Sequence, residues 1–233
     1  MERCNIFGMS DVDDTPGRLV AAAERLFAEG GEEATSLRAV TREAISNPAA
    51  VHYHFGGRDG LLRAVLDRHL AGRQARRMRL LDKAREQYGE AVPVPIVLTA
   101  VLRPDLELLG KLRKHRVQVA RFLGRAFAQR SPTVADYLDR HFTELADRVL
   151  PMLAGAVSGV SAADLRLRLR LVLDGVAMLY ATAPDPGHPG PLGTDDVDEQ
   201  VRWLVAFAAA GIAAPTAAPA TPASERARKR SKR

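Results

Sequence analysis

Six hydrogen-bonding side chains crowd one short stretch of the chain: Ser36, Arg38, His52, Tyr53, His54 and Arg58. Their types suit the recognition of a polyanion better than the making of bonds. A serine hydroxyl beside a helix start can donate to a phosphate, and the helix N-terminus favours the same anion. Arg38, one turn further on, can reach a base edge or a phosphate. His52, Tyr53 and His54 end one short predicted helix as a run of donors and acceptors, and Arg58 opens the next, a second natural phosphate position.

Rival chemistries find little support. His52 and His54 are two residues apart, which puts them on different faces of a helix, so one metal ion is not expected to take both. His115, His141 and His188 have no neighbouring Cys or His. Asp136, Asp139, Glu144 and Asp147 share one predicted helix and read as a solvated face, not an acid/base pair. There is no glycine-rich phosphate loop, nucleophile elbow or zinc motif. The expectation is therefore no catalytic residue, no metal and no cofactor.

The elements that must position these side chains are helices. Thr15 with Pro16 reads as a cap and first turn; Leu19, Ala23, Leu26 and Phe27 follow at helical spacing, and Gly30-Gly31 stops the helix. A second, short helix starts at Thr35-Ser36 and a third at Asn47-Pro48, again cap followed by proline. Gly56-Gly57 ends the third, and a long fourth begins near Arg58-Asp59. Two short helices joined by a tight turn form a helix-turn-helix, whose second helix fits a DNA major groove. Further on, residues 104–129 read as one helix and Ser131-Pro132 caps another running to Leu153. Ser161 opens a helix to Ala181, and Thr194-Asp195-Asp196 opens a last one ending at Gly211. Past its first turns the fourth helix turns basic (Arg68, Arg73, Arg76, Arg77, Arg79, Lys83, Arg85), a run that could touch phosphate near its start and farther along reads as a solvated face.

Composition agrees. In 233 residues the aromatic fraction is only 5%, and Ala, Leu and Arg, all good helix formers, are plentiful, so an all-α chain is favoured. The formal net charge of +6 is concentrated at one end: residues 226–233 hold six of the 34 Lys and Arg, and the rest is close to neutral. Any nucleic-acid surface must then be a local patch, with the tail adding counterion release or serving as a solubilising end. One cysteine, Cys4, allows no internal disulfide and suits a reducing cytoplasm. No stretch reads as a membrane span or a secretory signal. Met9 is a plausible natural start, with residues 1–8 as an upstream extension.

The stretch from Arg18 to His69 resembles the DNA-binding domain of the TetR/AcrR family of bacterial transcription regulators. The residues that carry it are Arg18-Leu-Val-Ala-Ala-Ala-Glu-Arg-Leu-Phe27, Gly31, Thr35-Ser-Leu-Arg-Ala-Val40, Asn47-Pro-Ala-Ala-Val-His-Tyr-His-Phe55 and Gly57-Arg-Asp-Gly-Leu-Leu62. The resemblance implies that Asn47, Pro48, Ala49 and Ala50 face bases, the alanines offering apolar contact such as to thymine methyls. It also implies that Arg38 reads the groove, that His52, Tyr53 and His54 meet the backbone, and that Ser36 and Arg58 hold phosphates. The family usually has Gly and then an aliphatic residue in the turn, where this chain has Ile45-Ser46. Either Ile45 fills the aliphatic slot after a deletion, or the turn adopts another conformation, since Ile is poorly suited to positive φ.

Residues 90–211 fit the same family by length and helical pattern, which implies a helical ligand-binding and dimerisation domain. The chain then divides into a flexible arm (1–14), a helix-turn-helix domain (15–70), the helical domain (71–211) and a disordered basic tail (212–233). The last two helices match the pair that builds an intersubunit bundle in the family; internal packing is the alternative. Candidate pocket residues are Phe122, Phe127, Tyr137, His141, Met152, Met178, Tyr180 and Trp203. Their lack of charge favours an apolar or amphipathic effector. The expectation is a cytoplasmic, homodimeric, ligand-responsive repressor on a pseudo-palindromic double-stranded operator. A helical protein-interaction module that no longer reads DNA, or an activator of the same fold, are the alternatives.

Overall fold

The computed structural model describes residues 14–115, 117–181 and 192–216. Most of the expected N-terminal arm, Cys4, His188 and the basic residues of the tail lie outside the described residues. Every regular element among the described residues is a helix.

The first four helices are α1 (Thr15–Gly30), α2 (Leu37–Glu43), α3 (Pro48–Phe55) and α4 (Arg58–Tyr88). Asp14, not Thr15, caps α1: its carboxylate accepts from the Gly17 N–H at 3.1 Å, and Thr15 is buried as the first helical residue. The longer reach of a carboxylate over the first turn suits it to the cap, and its charge complements the helix dipole. Ser36 and Asn47 cap α2 and α3 as their residue types predict. The four helices close around Leu19, Phe27, Val40, Val51, Leu62 and Leu66.

Five more helices follow: α5 (Val94–His115), α6 (Val117–Gln129), α7 (Pro132–Ala156), α8 (Ala162–Ala181) and α9 (Val197–Ala213). The single helix expected over 104–129 is thus two, and Pro104 lies inside α5 instead of starting it. An internal proline costs about 3 kcal/mol. Val97, Leu98, Val101, Leu102, Leu106 and Leu109 are buried on both sides of it, and that packing outweighs the cost. The last helix also runs past Gly211, because Ile212 is fully buried.

The two halves are not separate bodies. Phe27 of α1 stacks on Phe122 of α6 with centroids 5.8 Å apart. Arg125 of α6 donates to the carbonyls of Phe27 and Ala28 and so covers the C-terminal end of α1. Ser131 donates to the Glu32 carboxylate, and Tyr137 of α7 donates to Asp67 of α4 at 2.9 Å. A second core, around Leu81, Val101, Leu145, Leu169, Val205 and Ile212, joins the far half of α4 to α5, α7, α8 and α9. The long α4 therefore runs from one core into the other.

Candidate nucleic-acid interface and ligand cavity

The turn between α2 and α3 decides how the paired helices present their side chains. Ser46 N–H donates to the Thr41 carbonyl at 2.8 Å and Ile45 N–H to the Arg42 carbonyl at 3.3 Å. That pair of bonds is the Schellman closure, which requires a left-handed residue between the helix cap and Ser46. Ile45 supplies it, with φ of 50° and its side chain 87% exposed. Ile45 therefore fills no aliphatic core slot: it stands in the conformation that glycine adopts freely, at a cost of about 1–2 kcal/mol for an L-residue. Arg18 steadies the turn by donating to the Ala44 carbonyl. At the other end of α3, Gly56 takes the left-handed cap, and a Cβ on Gly60 would sit 1.7 Å from the Phe55 carbonyl oxygen. Only glycine allows that approach of α4 to the end of α3.

With the turn closed this way, α2 and α3 turn one polar edge outward. Arg38 and Arg42, four residues apart on α2, are exposed, and their guanidiniums form no hydrogen bond or ion pair with any described residue. On α3, Pro48, Ala49, His52, Tyr53 and His54 are exposed, Tyr53 at 86%. Ala50 is turned partly into the core, and Val51 wholly. Ser36 Oγ accepts from the Ala39 N–H at 3.1 Å, and Asn47 Oδ1 from the Ala50 N–H at 2.9 Å. Each cap uses the acceptor and leaves the hydroxyl or amide hydrogens to donate outward. The Arg58 guanidinium, expected at a phosphate, donates to the Thr35 and Glu32 carbonyls and lies 5.9 Å from the Phe27 ring centroid. It holds the loop before α2 in place. Arg42 escaped the sequence reading, though its i, i+4 spacing from Arg38 marks the same face.

Inside the second half lies a cavity of about 70 Å³ between α4, α5, α6, α7 and α8. One end is ionic. Arg73 and Arg77 of α4 both donate to the carboxylate of Asp105 on α5; Arg77 and Asp105 are buried and Arg73 is nearly so. Arg77 Nε also donates to the Val101 carbonyl at 2.9 Å and its Nη1 to Gln74 at 3.1 Å. Tyr180 of α8 donates to the Asp105 backbone carbonyl at 3.0 Å. Burial by itself would raise the Asp105 pKa, but Arg73 and Arg77 outweigh it and hold the carboxyl below its ordinary range. Burial, aided by Asp105, pushes the Tyr180 phenol well above its ordinary value, so it stays a donor. The other walls are Phe127 of α6, Leu138, Phe142 and Leu145 of α7, and Leu173 and Ala177 of α8.

Comparison with known proteins now bears on both sites. Residues 19–65 match the family model described as "Bacterial regulatory proteins, tetR family", and residues 99–211 match "Tetracyclin repressor-like, C-terminal domain". The chain belongs to the TetR family. HTH-type transcriptional repressor Rv3405c of Mycobacterium tuberculosis is 31% identical to it over 86 residues, 34% of this chain. That match spans 45% of the relative, less than half its length. Among solved structures, a bacterial regulatory protein in the tetR family from Rhodococcus RHA1 superposes with a TM-score of 0.55 at 18% identity, covering 88% of this chain and 100% of the other. SCO4454, a TetR-family transcriptional regulator from Streptomyces coelicolor, gives 0.56 at 22% identity, covering 86% and 96%. Both share the all-α architecture of this chain.

The TetR-family C-terminal region contains the cavity, and the candidate pocket residues distribute unevenly around it. Phe127, His141 and Tyr180 line it. Tyr137 lies behind His141, their rings 4.2 Å apart, and the His141 Nδ1–H donates to the Tyr137 carbonyl at 2.8 Å. Phe122 belongs to the stack on α1 and Met152 to the second core, while Met178 and Trp203 are exposed at 48% and 72%. The expected apolar lining is also corrected: Arg73, Arg77, Asp105, Arg170 and Asp174 all face the cavity. Arg73 and Arg77 were expected in a solvated face. The signal against that was the spacing of the buried residues of α4, Leu70, Gln74, Arg77, Leu81 and Ala84, which carries the apolar stripe straight through Arg77.

Proposed function

We propose that this TetR-family chain is a sequence-specific DNA-binding transcriptional regulator, acting as a repressor that a small molecule releases. The outward edge of α2 and α3 carries this reading: two unpaired arginines, two caps with free donors, and an exposed Ala49, His52, Tyr53 face, all on a turn closed at both ends. The α3 face enters the major groove, with Ala49 against base methyls and His52, Tyr53 and His54 toward the backbone. Ser36 and Arg42 meet phosphates, Arg38 a base edge or phosphate.

The chain acts as a homodimer through α8 and α9. Leu167 and Leu171 on α8, and Trp203 and Phe207 on α9, are exposed at 58–77%, each pair at i, i+4 spacing. Such stripes are a surface to cover, and two-fold pairing sets two α3 helices roughly 34–36 Å apart for successive major grooves. Effector binding in the C-terminal cavity shifts that spacing by its differential affinity for the two arrangements. Among the described residues no helix is long and apolar enough to cross a membrane, which agrees with a cytoplasmic site of action.

Selection of bound sequences from random duplex DNA tests the reading. An enriched palindrome, with binding weakened by Arg38→Ala and by Tyr53→Phe, is the expected result. Unchanged affinity in both variants would overturn the placement of α3 in the groove. Light scattering of a Trp203→Glu/Phe207→Glu chain tests the dimer, with a monomer expected.

A further inference from the structure

We infer that the cavity takes a small carboxylic acid, its carboxylate on Arg73 and its body against Phe127, Phe142 and Leu145. The inference rests on reading that cavity as the effector site. Hydrogen-bond bookkeeping at its ionic end carries the argument. The acidic groups facing the cavity are already engaged: Asp105 gives one oxygen to Arg73 and the other to Arg77, and both oxygens of Asp174 accept from Arg170 Nε at 3.0–3.1 Å. A cationic ligand would have to displace one of these guanidiniums. Donors, by contrast, are in surplus. Arg73 Nε is buried and has no hydrogen-bond partner among the described residues, and Gln74 Nε2, beside Arg77, is in the same position. Three guanidiniums against two carboxylates also leave the lining net positive. A buried N–H without an acceptor, on an arginine that lines a positive cavity, calls for an anionic acceptor, and a planar carboxylate matches the guanidinium edge.

Size and wall chemistry narrow the class. The volume of about 70 Å³ is far below the ~300–1,000 Å³ of clefts that hold drug-sized molecules. It admits a carboxylate with a short apolar body. A dianion would put its second charge against aliphatic and aromatic walls. The position also gives the acid leverage: it competes with Asp105 for Arg73, and Arg73 lies on the helix that begins at the helix-turn-helix.

The test uses the full chain and six probes at matched ionic strength: butyrate, hexanoate and benzoate, and their three primary amides. Calorimetry and thermal melting should show saturable binding and raised melting temperature for at least one acid, with its amide at least tenfold weaker. Arg73→Lys keeps a cation beside Asp105 but lacks the Nε–H, and should weaken the acid at least tenfold. Ala177→Leu fills the cavity from α8 and should abolish binding; its melt confirms that it is folded. Amides that bind as tightly as the acids, and lose binding in Ala177→Leu, would overturn the acid class and leave the cavity as the effector site. Acid binding insensitive to both substitutions would overturn the inference and the cavity together. Failure of all six probes would also overturn the inference, and the cavity is then judged by whether Ala177→Leu alters operator affinity.

Discussion

Two pairs of arginines, each at i, i+4 spacing, occupy opposite surroundings in this molecule. Arg38 and Arg42 stand in solvent at the edge of α2 without a protein partner among the described residues. Arg73 and Arg77 are nearly or fully buried on α4 and share one carboxylate, Asp105. The same side chain is therefore a reader in one place and a strut in the other. What separates them is whether the charge is already satisfied: an exposed, unpaired guanidinium keeps its donors for a phosphate or a base, whereas a buried one must be paired to be tolerated at all.

The sharpest way to break this comparison is to remove each pair's chemistry and compare stability with binding. Asp105→Ala leaves two buried guanidiniums unpaired, so a loss of about 3–5 kcal/mol in urea unfolding is expected. Arg38→Ala should stay within about 0.5 kcal/mol of the parent in the same experiment. A small effect of Asp105→Ala would show that water reaches the cluster and that the strut is no strut. The cluster also has a pH signature. Because the Asp105 pKa is depressed in the folded chain, its contribution is present above the unfolded value of about 3.9 and is lost as pH falls through the native value. Unfolding midpoints should therefore drop on acidification below about pH 4, and drop less in Asp105→Asn.

Next in size is the reader. Arg38→Ala should weaken cognate binding by about 1–3 kcal/mol, roughly five- to 150-fold, and relax selectivity at one base position if it contacts an edge. Arg42→Ala should weaken all duplexes alike and reduce the slope of log affinity against log salt by about 1, the mark of a single phosphate contact. Equal effects of both on selected and random DNA would reduce the pair to phosphate binding. The smallest effect is at the turn that aims them. Ile45→Gly relieves a left-handed isoleucine while adding freedom to the unfolded chain, for a net gain of about 0.5–1 kcal/mol in unfolding free energy, read as a raised denaturation midpoint. A loss there would mean that the exposed isoleucine makes a contact of its own.

On the outer edge of the helix-turn-helix the helix starts were readable from single residues, although Arg42 on that edge was missed. Ser36 and Asn47-Pro48 are local signals: a cap needs only its own first turn, so residue type and position suffice to place the helix start and the exposed side that follows. The all-α class and the starts of α7, α8 and α9 were readable for the same reason, but the break between α5 and α6 was not. Arg58 was not, because its place depends on carbonyls in the loop before α2, more than twenty residues away along the chain. Pro104 was misread as a helix start because a local rule was overridden by burial on both sides of it.

Sequence alone thus determined, to within a residue, where the helices of the N-terminal unit begin and most of the polar edge they turn outward, since caps, glycines and 3.6-residue periodicity act within a few residues. Tertiary structure decided which arginines are struts, which aromatics face the cavity, and that Ile45 closes the turn in a left-handed conformation. Those outcomes depend on partners distant in sequence, above all Asp105 beneath Arg73 and Arg77. A charge buried by packing and a charge left in water look the same until the chain has folded around them.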